Sequence, residues 1–370
     1  MSTDWLVNLL YTVIPFTVVL SVLIFVHEFG HFWVARRCGV RVEKFSLGFG
    51  KELFGWSRGE TRYSLSAVPF GGYVKMAGEN PGEDHGEPWH FFTQPIWKRF
   101  LIVGAGPGVN YVLGLVLIIT LYLIGNPKVP PTIGVLSEGY PAQGAGLQVG
   151  DRITAVNGRT VHSFSDVIFG IQGQVEGVCA IKVERGGETL EYAVQPKVEE
   201  GIDRYGRKAP VARVGIGPVQ TVERERLPFF GAVGRGLKDT WFFTQTTYQG
   251  LWYLVTGQVG FRKSVTGPIG ILVITGETAR LGLPYLLQFM SIISVALAIF
   301  NFLPIPVLDG GHLLFLVLEK LRGRPVSAKI QDGVQQVAFA LLLTLMFVVT
   351  INDVVNFRIL ERFVEWWPLK

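Results

Sequence analysis

The chain has 370 residues, 49% of them apolar and only 17% charged, with a formal net charge of +5; its mean hydropathy is +0.35. That balance excludes an ordinary soluble protein. The basic excess lacks the aromatic-interleaved stripe, zinc-finger spacing or RNA-binding motif of a nucleic-acid ligand, so none is expected. Four runs approach or exceed the roughly 20 apolar residues that cross a bilayer: about residues 5–25, 100–125, 283–302 and 334–351.

The first run opens on "MSTDWLVNLL". An acidic residue at its head and a long apolar core mark a retained span rather than a cleaved signal. Lys and Arg then cluster at Arg36, Arg37, Arg41 and Lys44, at Lys98 and Arg99, and at Lys320, Arg322, Arg324 and Lys329. Basic residues beside spans face the cytoplasm, which puts both termini and the long segment between the second and third spans on the other side. Cys38 and Cys179 then fall on opposite sides of the membrane, and no disulfide is expected between them.

Between the first two spans, "FSLGFG" and "YSLSAVPFGGYVKM" alternate with period two among glycines, followed by the polar "GENPGEDHGEPW". The pattern predicts a β-hairpin, and such backbone enters a membrane only where protein or a water-filled cavity satisfies it. Beyond "GNPKVPPT" come short strand-like runs with turns, a soluble module of about 80 residues within 126–228. Residues 228–258 mix aromatics and polar groups at helical spacing, as an interfacial helix or one packed on its neighbours. The expected organisation is two spans with the hairpin over 1–125, the module over 126–228, an amphipathic segment over 229–282, and two spans with a C-terminal tail over 283–370.

The chemistry concentrates in His27-Glu28-Phe29-Gly30-His31. On a helix, histidines four apart share one face and can place two nitrogens on one zinc ion, while Glu28 points to a neighbouring direction, able to take a proton from water. Ionisable groups at membrane depth cost roughly 2.5–3.5 kcal/mol each on insertion scales, so a cluster of three implies function. Zinc needs a further ligand. Asp309 in "NFLPIPVLDGGHLLFLVLEKL" is a candidate, since Pro304 and Pro306 break the third apolar helix there; it also reads as a simple N-cap, and spacing leaves His312 as a competitor. In "GAGPGVNYVLG", Gly104, Gly106 and Gly108 permit close helix approach, and Asn110, like Asn301, reads first as a polar tie between helices.

Taken together, HEFGH at 27–31, "GPGVN" at 106–110 and "NFLPIPVLDGG" at 301–311 resemble the site-2 protease group of intramembrane zinc metalloproteases, in the branch of the bacterial regulator of sigma-E protease. "GFG" at 48–50 and "GGYVKM" at 71–76 resemble its membrane-entering β-hairpin, "TGPIGI" at 266–271 its segment before the third span, and "GYPAQGAGLQVGDRITAVNG" a PDZ domain. The resemblance implies a polytopic α-helical membrane protein of about four transmembrane helices, with a membrane-associated β-hairpin and one inserted extracytoplasmic PDZ-like α/β domain. It further implies zinc held by His27, His31 and Asp309, Glu28 as general base, and Asn110 and Asn301 along the substrate groove. Expected substrates are single-span membrane proteins, anti-sigma factors and leftover signal peptides, in a bacterial inner membrane, with a peptide or protein as ligand of the PDZ-like domain. Where many members of that branch carry tandem PDZ domains, residues 126–228 have room for one. A transporter would show an internal repeat, and an inactive adaptor would have lost one of the four site residues; neither is the case.

Overall fold

The computed structural model describes residues 4–79, 86–203 and 206–357, in two compact units. The first unit takes the described parts of 1–120, 233–247 and 265–370, the second those of 121–232 and 248–264. The expected C-terminal tail, from residue 358, and residues 80–85 of the polar stretch lie outside the described residues.

In chain order, α1 (Asp4–Arg37) leads into β1 (Val42–Arg58) and β2 (Thr61–Met76), then α2 (Ile96–Ile124). There follow β3 (Asn126–Lys128), β4 (Ile133–Leu136), α3 (Pro141–Gly144), β5 (Arg152–Val156), β6 (Arg159–Thr160) and α4 (Phe164–Gln172). The strands β7 (Cys179–Arg185), β8 (Glu188–Val194), β9 (Lys197–Ile202), β10 (Lys208–Arg213), β11 (Ile216–Pro218) and β12 (Glu223–Glu225) complete that stretch. Among the described residues six helices follow: α5 (Phe229–Val255), α6 (Phe261–Ser264), α7 (Pro268–Leu281), α8 (Leu283–Phe302), α9 (Asp309–Arg322) and α10 (Ala328–Asn356).

Among the described residues, four helical stretches are long and apolar enough to cross a membrane: Leu10–Arg37, Ile96–Ile124, Leu283–Phe302 and Ala328–Asn356. The chain is membrane-embedded. The first helix runs on past the apolar stretch that ends near Phe25 and carries His27 to His31 within it.

The hairpin is more elaborate than a two-stranded ribbon. Residues 44–47 of β1 have partners on both sides, Lys44 with Lys75 and Arg62, Leu47 with Gly72 and Leu65. One short segment thus becomes the middle of a small sheet, and residues 72–76 form one of its edges. That sheet shares a core with the helices around it, in which Phe32, Phe45, Ile102, Val103, Leu313 and Leu316 are buried together.

Two buried polar ties hold the helices where apolar packing alone would let them slide. The guanidinium of Arg99 on α2 donates to both oxygens of Glu319 on α9, at 3.0 and 2.6 Å. Asp353 of α10, fully buried, accepts from the amides of Gly267 and Gly270 at 3.0 and 2.8 Å. It thereby satisfies two orphan donors at the N-terminus of α7, within the stretch read as "TGPIGI". The glycines of the second span divide unequally. A Cβ on Gly114 would meet Val295 of α8 at 2.5 Å and one on Gly106 would strike His31, whereas at Gly104 and Gly108 there is open space. Close approach along α2 therefore depends on Gly106 and Gly114, which corrects the expectation for Gly104 and Gly108.

The second unit contains an α/β module. Its four-stranded sheet runs in the order β6-β5-β7-β8 around a core that includes Ile153, Val156, Val167, Ile171, Ile181 and Val183. A capping box starts α4: Ser163 Oγ accepts from the Asp166 amide, and the Asp166 carboxylate accepts from the Ser163 amide. In "LQVGDRI", Asp151 is 1% exposed and accepts from Arg185 at 2.6 and 2.7 Å and from the Gln148 amide at 2.8 Å. Burial alone would raise its pKa, but Arg185 and the amide outweigh it and hold the carboxyl below its ordinary range. The stabilisation is complete above the ordinary value of about 3.9 and is lost as the pH falls below it. Asp151→Asn should therefore destabilise this unit by about 1–3 kcal/mol at neutral pH. The deficit should shrink below about pH 4, as read from hydrogen exchange of the module's amides across a pH series.

Candidate metal centre

The helical register of α1 brings His27 and His31 to one face, with ring centroids 4.8 Å apart and Nε2 atoms 3.2 Å apart. Asp309 arrives from the first turn of α9. Its Oδ2 lies 3.1 Å from His27 Nε2 and 3.6 Å from His31 Nε2. Ligand atoms of the three residues all fall within 4.8 Å of one another.

Local sequence explains how Asp309 gets there. After α8 ends at Phe302, Pro304 and Pro306 forbid helical continuation, and Leu308 is the N-cap of α9 with no side-chain capping bond. Asp309 is thus the first residue of that helix rather than its cap, and its carboxylate is free for the histidines. Gly310 and Gly311 follow because the helix starts directly against the break: a Cβ on either would strike the carbonyl of Leu303 or Ile305. His312 lines the same cavity but does not join the cluster of three.

Ile102 O, 2.9 Å from His31 Nδ1, can only accept, so Nδ1 carries a hydrogen and, in the neutral ring, Nε2 turns a lone pair toward Asp309. Asp309 Oδ2 is buried and accepts no hydrogen bond, although two imidazoles stand within ion-pair reach. With both rings neutral and their Nε2 lone pairs turned inward, the three acceptors repel one another unless a cation lies among them. Two imidazole nitrogens and one carboxylate oxygen, with room for a fourth ligand, form a donor set that suits zinc. The residues present fit that ion.

Tight backbone contact makes this geometry possible. A Cβ on Gly30 would lie 2.6 Å from the Ala105 carbonyl, and one on Gly106 would overlap the His31 ring. Behind His27 stands Asn110, 1% exposed, its Nδ2 3.5 Å from His27 Nδ1 and its Oδ1 buried without a partner. The same residue's backbone carbonyl accepts from Ser294 Oγ at 2.7 Å, tying α2 to α8. Asn301, half-buried in the last turn of α8, is not among the residues lining the cavity.

The cavity over the cluster is about 380 Å³ and is lined by Glu28 together with Gly72, Tyr73, Val74, Met76 and Glu79 of the hairpin region. A Cβ on Gly72 would lie 2.9 Å from the Ser46 carbonyl and 3.0 Å from Glu28 Cγ, so the position favours glycine. Sequence spacing foretold that the hairpin could line a site, but not Glu79 or the Arg99–Glu319 tie. The tie joins residues 220 apart, which no local pattern encodes, and Glu79 lines the cavity only because the fold carries the hairpin region to the cluster.

A HExxH pair joined by a distant carboxylate, set among membrane-crossing helices, defines the class: a membrane-embedded zinc metalloprotease. Comparison with known proteins gives the same class. The sequence profile of peptidase family M50 matches residues 15–345. A relative in Rhizobium meliloti (strain 1021) is 35% identical over 366 residues, covering 94% of this chain and 97% of that one. The zinc metalloprotease RasP of Geobacillus kaustophilus is 30% identical and covers 95% of this chain and 100% of its own. The regulator of sigma-W protease RasP of Bacillus subtilis is 29% identical, covering 93% and 98%. The chain belongs to peptidase family M50, the site-2 protease group, and its cofactor is zinc.

Gly106→Ala should push the His31 imidazole out of the cluster. Zinc affinity, titrated with a competing chelator on the purified protein, is expected to fall at least tenfold, on the scale of losing a ligand's supporting contact.

Proposed function

We propose that this protein hydrolyses peptide bonds in or beside the membrane span of single-span proteins, with anti-sigma factors and remnant signal peptides as the substrate class. The observation that carries this reading is the shared cavity: the His27, His31 and Asp309 cluster, Glu28 and the edge strand 72–76 all open into it. The name of the Bacillus subtilis relative, a regulator of sigma-W protease, supports a substrate that controls transcription. The basic segments at 36–44, 98–99 and 320–329 support a multi-pass protein of the inner membrane, with those segments cytoplasmic and the termini and inserted module on the opposite face.

In this reading His27, His31 and Asp309 hold the zinc ion. When bound, zinc supplies Lewis-acid polarisation of the scissile carbonyl and makes water acidic near neutral pH. Glu28 takes the proton from the attacking water and hands it to the departing amine nitrogen. A transmembrane helix hides its peptide bonds within its own hydrogen bonds, so the substrate must be extended first. The sheet edge that begins at Gly72 receives the extended chain as an added strand, satisfying backbone groups that lipid would leave bare. Asn110 stands behind His27, and turning its amide end for end would pair Oδ1 with a proton on His27 Nδ1. That arrangement frees Nε2 for the ion, so Asn110 orients a ligand from behind the groove. Asn301, in the last turn of α8 just before the break, is the second candidate for pairing with the unwound substrate, on the motif resemblance alone.

The inserted module takes a peptide in a cavity of about 270 Å³ lined by Ile168, Ile171 and Gln172 of α4 and by residues 212–216. There β11 is paired with β4 on one side, and the other side faces α4, a place for an added strand.

Reconstituted with a tagged single-span substrate whose span is helix-destabilised, the unaltered protein should cleave and Glu28→Gln should not, with zinc retained in both. Asp309→Ala should lose zinc and activity together. Full zinc and full cleavage in Asp309→Ala would remove that residue from the site, and absence of zinc from the unaltered protein would sink the reading.

A further inference from the structure

The edge strand beside Glu28 has a built end. Ala77 N–H donates to the Arg41 carbonyl at 2.9 Å, toward β1, and Met76 pairs with Val42. Successive residues of a strand turn their N–H and C=O to opposite edges. The groups of Met76, Val74 and Gly72 therefore face away from β1, along the outer edge of the sheet. These are the positions that an added strand would use. The Met76 position is occupied already: its N–H donates to Glu79 Oε2 at 2.9 Å.

Glu79 reaches back through a three-residue turn. Gly78 makes the turn with φ of +62°, packed so closely on His90 that a Cβ would lie 2.6 Å from it. The carboxylate thus stands where the carbonyl of a docked chain would otherwise sit, and it lines the cavity with the zinc cluster. A backbone N–H bound to a carboxylate is held more firmly than one bound to a neutral carbonyl, so a neutral chain does not readily displace it. Native edges are commonly blunted by charges placed on them; here one charge blunts only one end.

We propose that Glu79 terminates the docking edge after Val74 and so fixes which peptide bond of an extended substrate lies over the zinc cluster. This rests on the strand-addition reading above. With two outward positions open, Gly72 and Val74, an unwound segment has one register. With the third freed, it can slide by one hydrogen-bonding repeat, which is two residues.

The test uses the full-length protein in proteoliposomes with a single-span substrate, product ends being mapped by mass spectrometry. Glu79→Ala should add a second cut two residues from the first, and Glu79→Gln, whose neutral amide oxygen still accepts from Met76 but is held less firmly, should add the same cut in smaller proportion. Glu79→Ser, polar but too short to reach the amide, repeats the measurement should the alanine variant fold poorly. Zinc content and melting temperature should match the unaltered protein, which separates register from general damage. In parallel, a photoreactive phenylalanine analogue at Tyr73 in a Glu28→Gln background records which substrate residues lie on the edge without any turnover. Unchanged cuts and cross-links in Glu79→Ala and Glu79→Ser would overturn the proposal, as would absence of cross-links in every variant. Cross-links that shift by two residues without cleavage by any Glu28 protein would uphold the edge assignment and refute proteolysis.

Discussion

A single bond, from His31 Nδ1 to the carbonyl of Ile102, sets the terms for the rest of the first unit. It fixes the imidazole's tautomer and so decides which nitrogen looks into the cavity. For it to form, α1 and α2 must touch at Gly30 and Gly106, where any side chain would collide with backbone or with the ring itself. Once those helices are locked, α9 has only a small range of positions from which Asp309 can complete the cluster. The buried pair of Arg99 and Glu319 selects among them, one helical stretch below the site.

Burying such a pair is rarely a net gain in stability, since desolvation offsets the attraction. Its value is directional: a bidentate guanidinium and carboxylate tolerate little sliding, while greasy surfaces tolerate much. The same reasoning covers Asp353, which pins α7 through two amides. In a bilayer, where lipid competes with apolar packing on equal terms, a few polar ties carry the specificity that a hydrophobic core carries in water.

Much of this was legible in the sequence because membrane physics leaves few choices. Long apolar runs, histidines four apart and a double-proline break each have one ready structural meaning, and the spans, the shared face of His27 and His31 and the interruption before Asp309 follow. Choosing Asp309 over His312 was beyond spacing, because it depends on how a chain re-enters a helix after Pro306 under two glycines. The placement of Asn110 was equally hidden: its side chain points at His27, 83 residues away. The doubled pairing of residues 44–47 also escaped, since alternation identifies strands but not how many neighbours each has.

The glycines after Asp309 have a mechanical meaning as well. Gly310 and Gly311 are seated against the carbonyls of Leu303 and Ile305 with no clearance for even a methyl group. A joint so closely fitted cannot flex without prising backbone from backbone, so the broken helix acts as a weld, and the carboxylate it presents keeps a fixed position. Any gate that admits a substrate must then swing on the other wall of the cavity, where the lining is a thin sheet rather than a packed helix.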